Sequence, residues 1–261
     1  MREEDRCAGS DHRRLARIGR ATALELSRGH HVIATARHIE ALSDLTTGAR
    51  LRLDVTDQPF VDAAIAAAGQ IDVLVSNAGE TLRAPVESVP LHEVERLFQL
   101  NTLGAAGDPG RASRDALPRL WPDRVPLQRA ETHRAPAAQR LRREQMGAGG
   151  DRRTLAIEAG SFGIKVSILQ PSGVSSDGAE RAPVHPAGDD PYHPLLAQLA
   201  ATRSEPVTPD EVARLTGNTL DDPSPRLRIA VGEPARGILA RRKASPDDQP
   251  FHPARSIPRP G

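Results

Sequence analysis

The sequence predicts an α/β fold built on a doubly wound parallel sheet. Patterns typical of helices and of short apolar strands alternate between residues 18 and 79. Such alternation builds parallel sheets, because a helix returns the chain to the start of the next strand. A second stretch of the same character begins at Thr154. The third observation is the run Ile71–Gly79, which supplies the best-defined strand.

The run Ile71–Gly79 is Ile-Asp-Val-Leu-Val-Ser-Asn-Ala-Gly and forms the predicted centre of the sheet. Its apolar first half is typical of a parallel strand that is buried on both faces. Asn77, Ala78 and Gly79 follow at the carboxyl end, where open α/β sheets bind ligands. Small residues there allow a flat ligand to lie against the backbone.

The other elements follow from local patterns and make one domain over residues 1–240, with a proline-rich tail at 241–261. Gly29 and Gly69 are typical helix ends, Asp57 can cap a helix, and Thr208 followed by Pro209 predicts another helix start. The predicted helices cover 18–29, 38–47, 58–69, 86–104, a segment ending at 160 and one beginning after 208, and the other strands cover 31–37, 51–55, 164–170 and 227–231.

Composition restricts the class of protein. The formal net charge of +1 argues against nucleic acid or an anionic membrane as the main partner. The single cysteine, Cys7, excludes a disulfide framework and fits a reducing compartment, so we expect a cytoplasmic protein. No apolar run reaches membrane-spanning length.

Two segments, residues 1–17 and 105–153, do not fit this pattern. The first is polar and arginine-rich, and the second contains 11 arginines and five prolines. A helix–strand–helix unit should occupy the second segment to complete the sheet, and its composition does not supply a core. We therefore expect the fold to be incomplete or disordered over both segments, although a loop this long is unusual inside a compact domain.

The ordered segments resemble the classical short-chain dehydrogenase/reductases over roughly residues 18–104 and 154–240. The resemblance implies a Rossmann-type fold and an NAD(P)-dependent oxidoreductase that interconverts an alcohol and a ketone or aldehyde by hydride transfer. The matching motifs are Ile18-Gly-Arg-Ala-Thr-Ala-Leu-Glu-Leu, Asp54-Val55, Asp72 to Gly79, Leu-Asn101-Thr-Leu-Gly, Leu155-Ala-Ile-Glu-Ala-Gly, Gly163-Ile-Lys-Val and Gln170-Pro-Ser-Gly-Val174.

The same resemblance implies a catalytic set of Ser, Tyr-x-x-x-Lys and Asn. The tyrosine exchanges a proton with the reacting oxygen, the lysine lowers the tyrosine pKa, the serine hydrogen-bonds the substrate oxygen, and the asparagine holds a relay water. Only the asparagine, Asn101, is present, because the other three positions are occupied by Gln128, Leu141 and Gln145. The chain as written is therefore expected to be impaired. The alternative is a non-catalytic, nucleotide-binding remnant or pseudogene product.

A frameshift accounts for both anomalous segments. Reading one base later turns Met146 followed by glycine into tryptophan, and allows tyrosine at Leu141, lysine at Gln145 and serine at Gln128. A shifted frame over residues 11–17 likewise restores Ile-Thr-Gly-Ala-Ser-Arg-Gly, the family's phosphate-binding turn, before Ile18 and Gly19. The alternative is a divergent protein with two basic inserts.

The resemblance also places the cofactor on the intact parts. NAD-specific members of the family carry an acid near the end of their second strand, which corresponds to the predicted strand 31–37 of this chain. This chain has Arg37 there, which suits a 2′-phosphate and favours NADP over NAD. Asp54 and Val55 would contact adenine, although Asp54 could equally be a capping acid after a strand. The implied cofactor-binding residues are Ile18, Gly19, Arg37, Asp54, Val55, Asn77, Ala78, Gly79, Pro171 and Val174, and no metal is expected.

The substrate would be a small alcohol or carbonyl compound, bound within about residues 175–207. The family implies a homo-oligomer, an implication that the two anomalous segments weaken. A different hypothesis makes the arginine-rich inserts binding sites for anions or nucleic acid. Balancing acids elsewhere and the scarcity of aromatic residues, 2% of the chain, argue against it.

Overall fold

The computed structural model describes residues 17–80, 89–103, 126–130, 156–157, 159–160, 163–175 and 206–246, with only the backbone for 126–130. Helices and parallel strands alternate along these residues, which confirms the α/β class. The helices are α1 Arg17–Leu26, α2 Gln58–Ala68, α3 Leu91–Phe98, α4 Pro209–Asp221 and α5 Glu233–Ala244. The strands are β1 Ile33–Ala36, β2 Ala49–Arg52, β3 Leu74–Ser76, β4 Pro126–Ala130, β5 Lys165–Pro171 and β6 Arg228–Val231.

All strand pairs are parallel, as the helix–strand alternation predicts. β1 pairs with β2, and the other strands form a sheet in the order β3-β4-β5-β6. Among the described residues, α3 lies between β3 and β4 and α4 lies between β5 and β6, in agreement with the helical crossovers that parallel pairing usually requires. The carboxyl ends of neighbouring strands therefore meet at one edge of each sheet.

Strand β4 corrects, for residues 126–130, the expectation that the fold is incomplete or disordered over residues 105–153. Its backbone pairs with β3 on one side and with β5 on the other. Pro126 stands first in the strand, where the missing N–H of proline is tolerated. The two apolar neighbours supply ladder partners on both sides, and this tertiary pairing outweighs a local sequence poor in β-formers. The rest of the segment lies outside the described residues.

The structure differs from the predicted elements in helix type, capping, strand burial and one domain boundary. The predicted helix over 38–47 is a short 3₁₀ turn, Ile39–Leu42. Asp57 is the N-cap residue of α2, but its side chain makes no capping hydrogen bond. Strand β3 is half-buried at Leu74 and Val75, so the prediction of a strand buried on both faces is wrong for these residues. Helix α5 runs across the boundary placed at residue 240.

The core nearest the candidate site lies between β5, β6 and α4. Leu169, Val212 and Val231 are at most 2% exposed and pack in one cluster with Val174 and Val207. Fully burying a side chain of this size contributes about 1.5–3 kcal/mol relative to leaving it in water. Ile18 at the start of α1 packs against the same cluster, which fixes the beginning of that helix against the sheet.

Helix α4 begins with a complete capping box. The Thr208 hydroxyl accepts a hydrogen bond from the Glu211 N–H at 3.2 Å, and the Glu211 carboxylate accepts from the Thr208 N–H at 2.7 Å. These backbone and side-chain bonds from Thr208 hold the pKa of Glu211 below its ordinary value. The carboxylate thus contributes stability above its unfolded-state pKa, and this contribution is lost as pH falls through the folded-state pKa.

Replacing the cap, Thr208→Ala, is expected to lower the free energy of unfolding by about 1 kcal/mol, because one N–H of the first turn loses its acceptor. Urea unfolding at neutral pH measures this change. Thr208→Ser keeps a hydroxyl at the same position and should retain most of the stability. Equal losses in the two variants would show that the hydroxyl does not cap the helix.

Candidate cofactor site and active site

The residues predicted to bind the cofactor lie directly after parallel strands. Arg37 follows β1, Asp54 and Val55 lie just beyond β2, Asn77–Gly79 follow β3, and Ser172–Val174 follow β5. These are the carboxyl ends of the strands, where open α/β sheets bind their ligands. The structure therefore brings these segments to the expected side of the fold.

The first turn of α1 lies against the loop after β3. A Cβ atom built on Gly19 would lie only 2.9 Å from Nδ2 of Asn77, so a larger side chain at this position would press on the asparagine amide. A helix N-terminus close to a small-residue loop is a favourable place for a phosphate group. Residues 11–16, the place of the phosphate-binding turn, lie outside the described residues.

Asp54 organises the turn between β2 and α2. Its Oδ1 atom accepts hydrogen bonds from the Thr56 N–H at 2.9 Å and from the Thr56 hydroxyl at 2.6 Å. Burial acts to raise the pKa of Asp54, but the bonds from Thr56 and the charges of Arg37 and Arg52 outweigh it and lower the pKa overall. Asp54 is therefore an ionised acceptor at neutral pH and holds the turn through Thr56, whereas the N-cap position of the following helix is occupied by Asp57 and not by Asp54.

Asn101 fixes the main chain of Glu80, the residue that follows Gly79. The Glu80 N–H donates to Oδ1 of Asn101 at 3.0 Å, and Nδ2 of Asn101 donates to the Glu80 carbonyl oxygen at 3.0 Å. Asn101 is only 3% exposed, so both bonds are shielded from water. The side chain of Asn101 thus holds the loop that carries Asn77, Ala78 and Gly79.

A π-helical turn surrounds Asn101. Residues Gln99–Leu103 continue α3 with this wider hydrogen-bond spacing. Insertions of this kind in α-helices occur frequently at functional sites. The turn displaces the end of α3 from regular helical geometry at the one predicted catalytic residue that the sequence retains.

An ionic network that the motifs did not predict joins the same loop to β1 and α3. Glu80 Oε1 lies 3.0 Å from the guanidinium of Arg37, and Glu80 Oε2 lies 2.6 Å from that of Arg96. Arg96 also pairs with Glu93 at 3.0 Å. Burial alone would lower the pKa of Arg96, but the hydrogen bonds and charges of Glu80 and Glu93 raise it.

The segment after β5 pairs with the chain just before α4. The Ser175 N–H donates to the Val207 carbonyl oxygen and the Val207 N–H donates to the Gly173 carbonyl oxygen, both at 3.0 Å. Alternation along a strand then directs the N–H and carbonyl groups of Val174 away from Val207. The Ser172 hydroxyl is buried and has no hydrogen-bond partner in the structure, which is unusual for a buried polar atom.

The three positions at which the catalytic serine, tyrosine and lysine are lost are only partly described. Gln128 lies in β4, in register with Val75 of β3 and Ser167 of β5. Leu141 and Gln145 lie outside the described residues. In the described part of the chain, no helix is long and apolar enough to cross a membrane, and no group of three His, Cys, Asp or Glu side chains could hold a metal ion.

Comparison with known proteins finds similar sequences and similar folds. The model of the short chain dehydrogenase family matches residues 16–107. An oxidoreductase of Botryotinia fuckeliana (strain B05.10) is 29% identical over 236 residues, which cover 80% of this chain and 82% of that protein. The structure of a short-chain dehydrogenase from Streptomyces avermitilis is 27% identical in sequence and superposes with a TM-score of 0.71. The aligned part covers 88% of this chain and 92% of that chain.

These matches support the resemblance of the chain to the classical short-chain dehydrogenase/reductases.

A more distant structure shows the same fold. The short-chain dehydrogenase of Burkholderia cenocepacia J2315 in complex with NADP is 20% identical, has a TM-score of 0.69, and covers 88% of this chain and 92% of its own. The match to the family model begins at residue 16, near the end of the anomalous segment 1–17, and ends at residue 107, near the start of the segment 105–153.

Sequence reasoning missed Glu80 and Arg96 as parts of this candidate site. The spacing of Glu93 and Arg96 is the i,i+3 spacing of a helical ion pair, and it is the only local signal. The contacts of Glu80 with Arg37 and Arg96 join residues 43 and 16 positions apart. Such contacts depend on the assembled sheet, which no short motif specifies.

Proposed function

We propose that the gene encodes an NADP-dependent oxidoreductase that interconverts a small alcohol and a ketone or aldehyde, and that the chain as written is catalytically impaired. The bound nicotinamide cofactor would supply the hydride. The observation that carries the proposal is the arrangement of Arg37, Asn77 and Asn101 around one strand edge, with the loop after β3 held by two buried hydrogen bonds.

The residues present fit a dinucleotide. Ile18 and Gly19 would lie beside the phosphates at the start of α1, and Asn77, Ala78 and Gly79 would line the ribose side. Asp54 would accept a hydrogen bond from the adenine amino group, and Val55 would lie against the ring. On the nicotinamide side, the N–H and carbonyl of Val174 and the unpartnered Ser172 hydroxyl offer polar groups beside Pro171. A buried hydroxyl without a partner is what a missing ligand would leave.

Arg37 supports NADP rather than NAD. Its side chain is 45% exposed, and the residue follows β1, where an NAD-specific site would carry an acid for the ribose hydroxyls. A guanidinium can instead form two parallel hydrogen bonds with a phosphate. We therefore propose NADP as the cofactor of the intact enzyme.

Catalytic impairment follows from the residues at three positions. Gln128, Leu141 and Gln145 offer no group able to exchange a proton with a carbonyl oxygen in place of the tyrosine. A frameshifted gene or a sequencing error remains our explanation, and the limits of the family-model match at residues 16 and 107 support it. Resequencing codons 7–18 and 104–154 tests this directly, because an unbroken frame as written would exclude it.

The second candidate function is a remnant that binds the nucleotide without catalysis. The preserved edge with Asn77 and Asp54 favours it for the chain as written. The intact enzyme is proposed to act in the cytoplasm, which the single cysteine supports. The substrate-binding residues proposed within 175–207 lie almost entirely outside the described residues.

NADPH is expected to raise the unfolding temperature of the chain as written, and to do so more than NADH at equal concentration. A ligand that binds only the folded state stabilises it in proportion to the logarithm of its concentration over Kd. Arg37→Ala should remove the advantage of NADPH. Arg28→Ala, which deletes an exposed arginine of the turn after α1, is the matched control and should keep it. Absence of protection by either nucleotide would exclude both candidate functions for this chain.

A further inference from the structure

We infer that Glu80 competes with the 2′-phosphate of NADP for Arg37 and so limits the preference of this site for NADP over NAD. The inference rests on the proposed function, because it takes Arg37 as the phosphate ligand. It assigns a specificity-determining role to an acid that the motifs left without one.

Glu80 is held in place from three sides. Asn101 binds both its N–H and its carbonyl oxygen at 3.0 Å, Arg96 binds Oε2 at 2.6 Å, and Arg37 lies 3.0 Å from Oε1. Its side chain is 25% exposed, less than that of either arginine. When a phosphate approaches, Glu80 is therefore the fixed partner and Arg37 is the one able to reorient.

The Arg37–Glu80 pair joins the two sheets across the candidate cofactor edge. Arg37 follows β1, which pairs with β2, whereas Glu80 lies just beyond β3 at the edge of the four-stranded sheet. A dinucleotide that lies along Asp54 and Asn77 has to pass this ion pair. NADP brings a 2′-phosphate to Arg37, and NAD brings only a hydroxyl.

The competition has a definite electrostatic sign. The carboxylate neutralises Arg37 and also repels a phosphate brought close to it. Exposed ion pairs are individually weak, so a phosphate that binds the guanidinium through two hydrogen bonds can displace the carboxylate. Glu80 thus weakens NADP binding without preventing it. NAD, which makes no demand on the Arg37 charge, is unaffected.

Glu93 provides the matched control within the same network. It pairs with Arg96 at 3.0 Å and is 23% exposed, close to the value for Glu80. The ion pairs in the described part of the chain connect Glu93 to Arg96 and His92, and not to Arg37. Glu93→Gln therefore removes the same charge from the same cluster and leaves the Arg37–Glu80 pair intact.

The test is equilibrium titration of the full chain with NADPH and with NADH, followed by cofactor fluorescence at low ionic strength. Because the pair is exposed, Glu80→Gln is expected to lower the Kd for NADPH about fivefold and to leave the Kd for NADH unchanged. Glu93→Gln should change the Kd for NADPH and the Kd for NADH by less than this fivefold factor. In the Arg37→Ala background, Glu80→Gln should have a smaller effect on the Kd for NADPH, because only the direct repulsion between carboxylate and phosphate is then removed. Added salt should shrink the difference in this Kd between the wild-type chain and Glu80→Gln.

The possible failures are distinct. If the wild-type chain binds NADPH and Glu80→Gln leaves its Kd unchanged or raises it, Glu80 does not compete for Arg37 and the inference is overturned. If Glu80→Gln and Glu93→Gln lower the Kd for NADPH equally, the effect comes from net charge, and the inference is overturned as well. If neither nucleotide binds the wild-type chain, the proposed function fails for this chain and the inference fails with it.

Discussion

A variant in which residues 1–17 and 105–153 are replaced by their shifted-frame translation is expected to reduce ketones or aldehydes at least about a thousandfold faster than the chain as written. General acid–base catalysis by a positioned group contributes about 10²–10⁴-fold. The replacement supplies tyrosine at 141, lysine at 145 and serine at 128, together with the phosphate-binding turn before Ile18. Loss of NADPH absorbance with a panel of carbonyl compounds measures the rate.

A matched control separates catalysis from folding in this experiment. The shifted-frame variant with phenylalanine at position 141 keeps the packing of the tyrosine ring and lacks only its hydroxyl. Its rate should fall towards that of the chain as written, while its unfolding temperature and NADPH protection stay close to those of the active variant. Turnover by the chain as written at a rate comparable to the shifted-frame variant would refute catalytic impairment.

Elements with strong local signals were predicted well from the sequence. The strand at 164–170 is an apolar run closed by a proline, and β5 occupies Lys165–Pro171. Helix α4 begins at Pro209 after Thr208, as its capping residues indicate. In these segments, residue preferences and tertiary packing favour the same structure.

Strand β4 shows why other elements could not be predicted. Pro126–Ala130 contains a proline, a glutamine and an arginine, and no β-branched residue. Its strand conformation is supported by two parallel neighbours, β3 and β5, which lie far from it in the sequence. A prediction based on local pattern has no access to partners of this kind.

The candidate site likewise has residues that short motifs predicted and contacts that only the structure shows. Asn77, Ala78, Gly79 and Asn101 were predicted as site residues from short motifs, and their assignment to the cofactor and to catalysis stays a prediction. The structure adds that Asn101 binds the backbone of Glu80, 21 positions away. It adds also that Arg37, predicted as a phosphate ligand, already has a carboxylate partner. Both findings depend on distances between loops that follow different strands.

Asn101→Ala is expected to lower the free energy of unfolding by about 2–4 kcal/mol, since it removes two buried hydrogen bonds and leaves a main-chain N–H and carbonyl without their partners. The amide of Asn101 is the group that binds both atoms of Glu80, and at 3% exposure water cannot simply replace it. Urea unfolding measures the loss. Asn218→Ala, an exposed asparagine of α4, is the control and should change stability by about 0.5 kcal/mol or less.

The Asn101→Asp variant tests whether the donor matters as well as the acceptor. The carboxylate can still accept from the Glu80 N–H, but at neutral pH it faces the Glu80 carbonyl oxygen with no hydrogen to donate. Burial raises the pKa of such a carboxyl in the folded state. The destabilisation should therefore be full above the folded-state pKa and be relieved as pH falls below it, because the protonated acid donates again. A loss of stability that does not vary with pH would show that the amide donor of Asn101 does not hold the loop after β3.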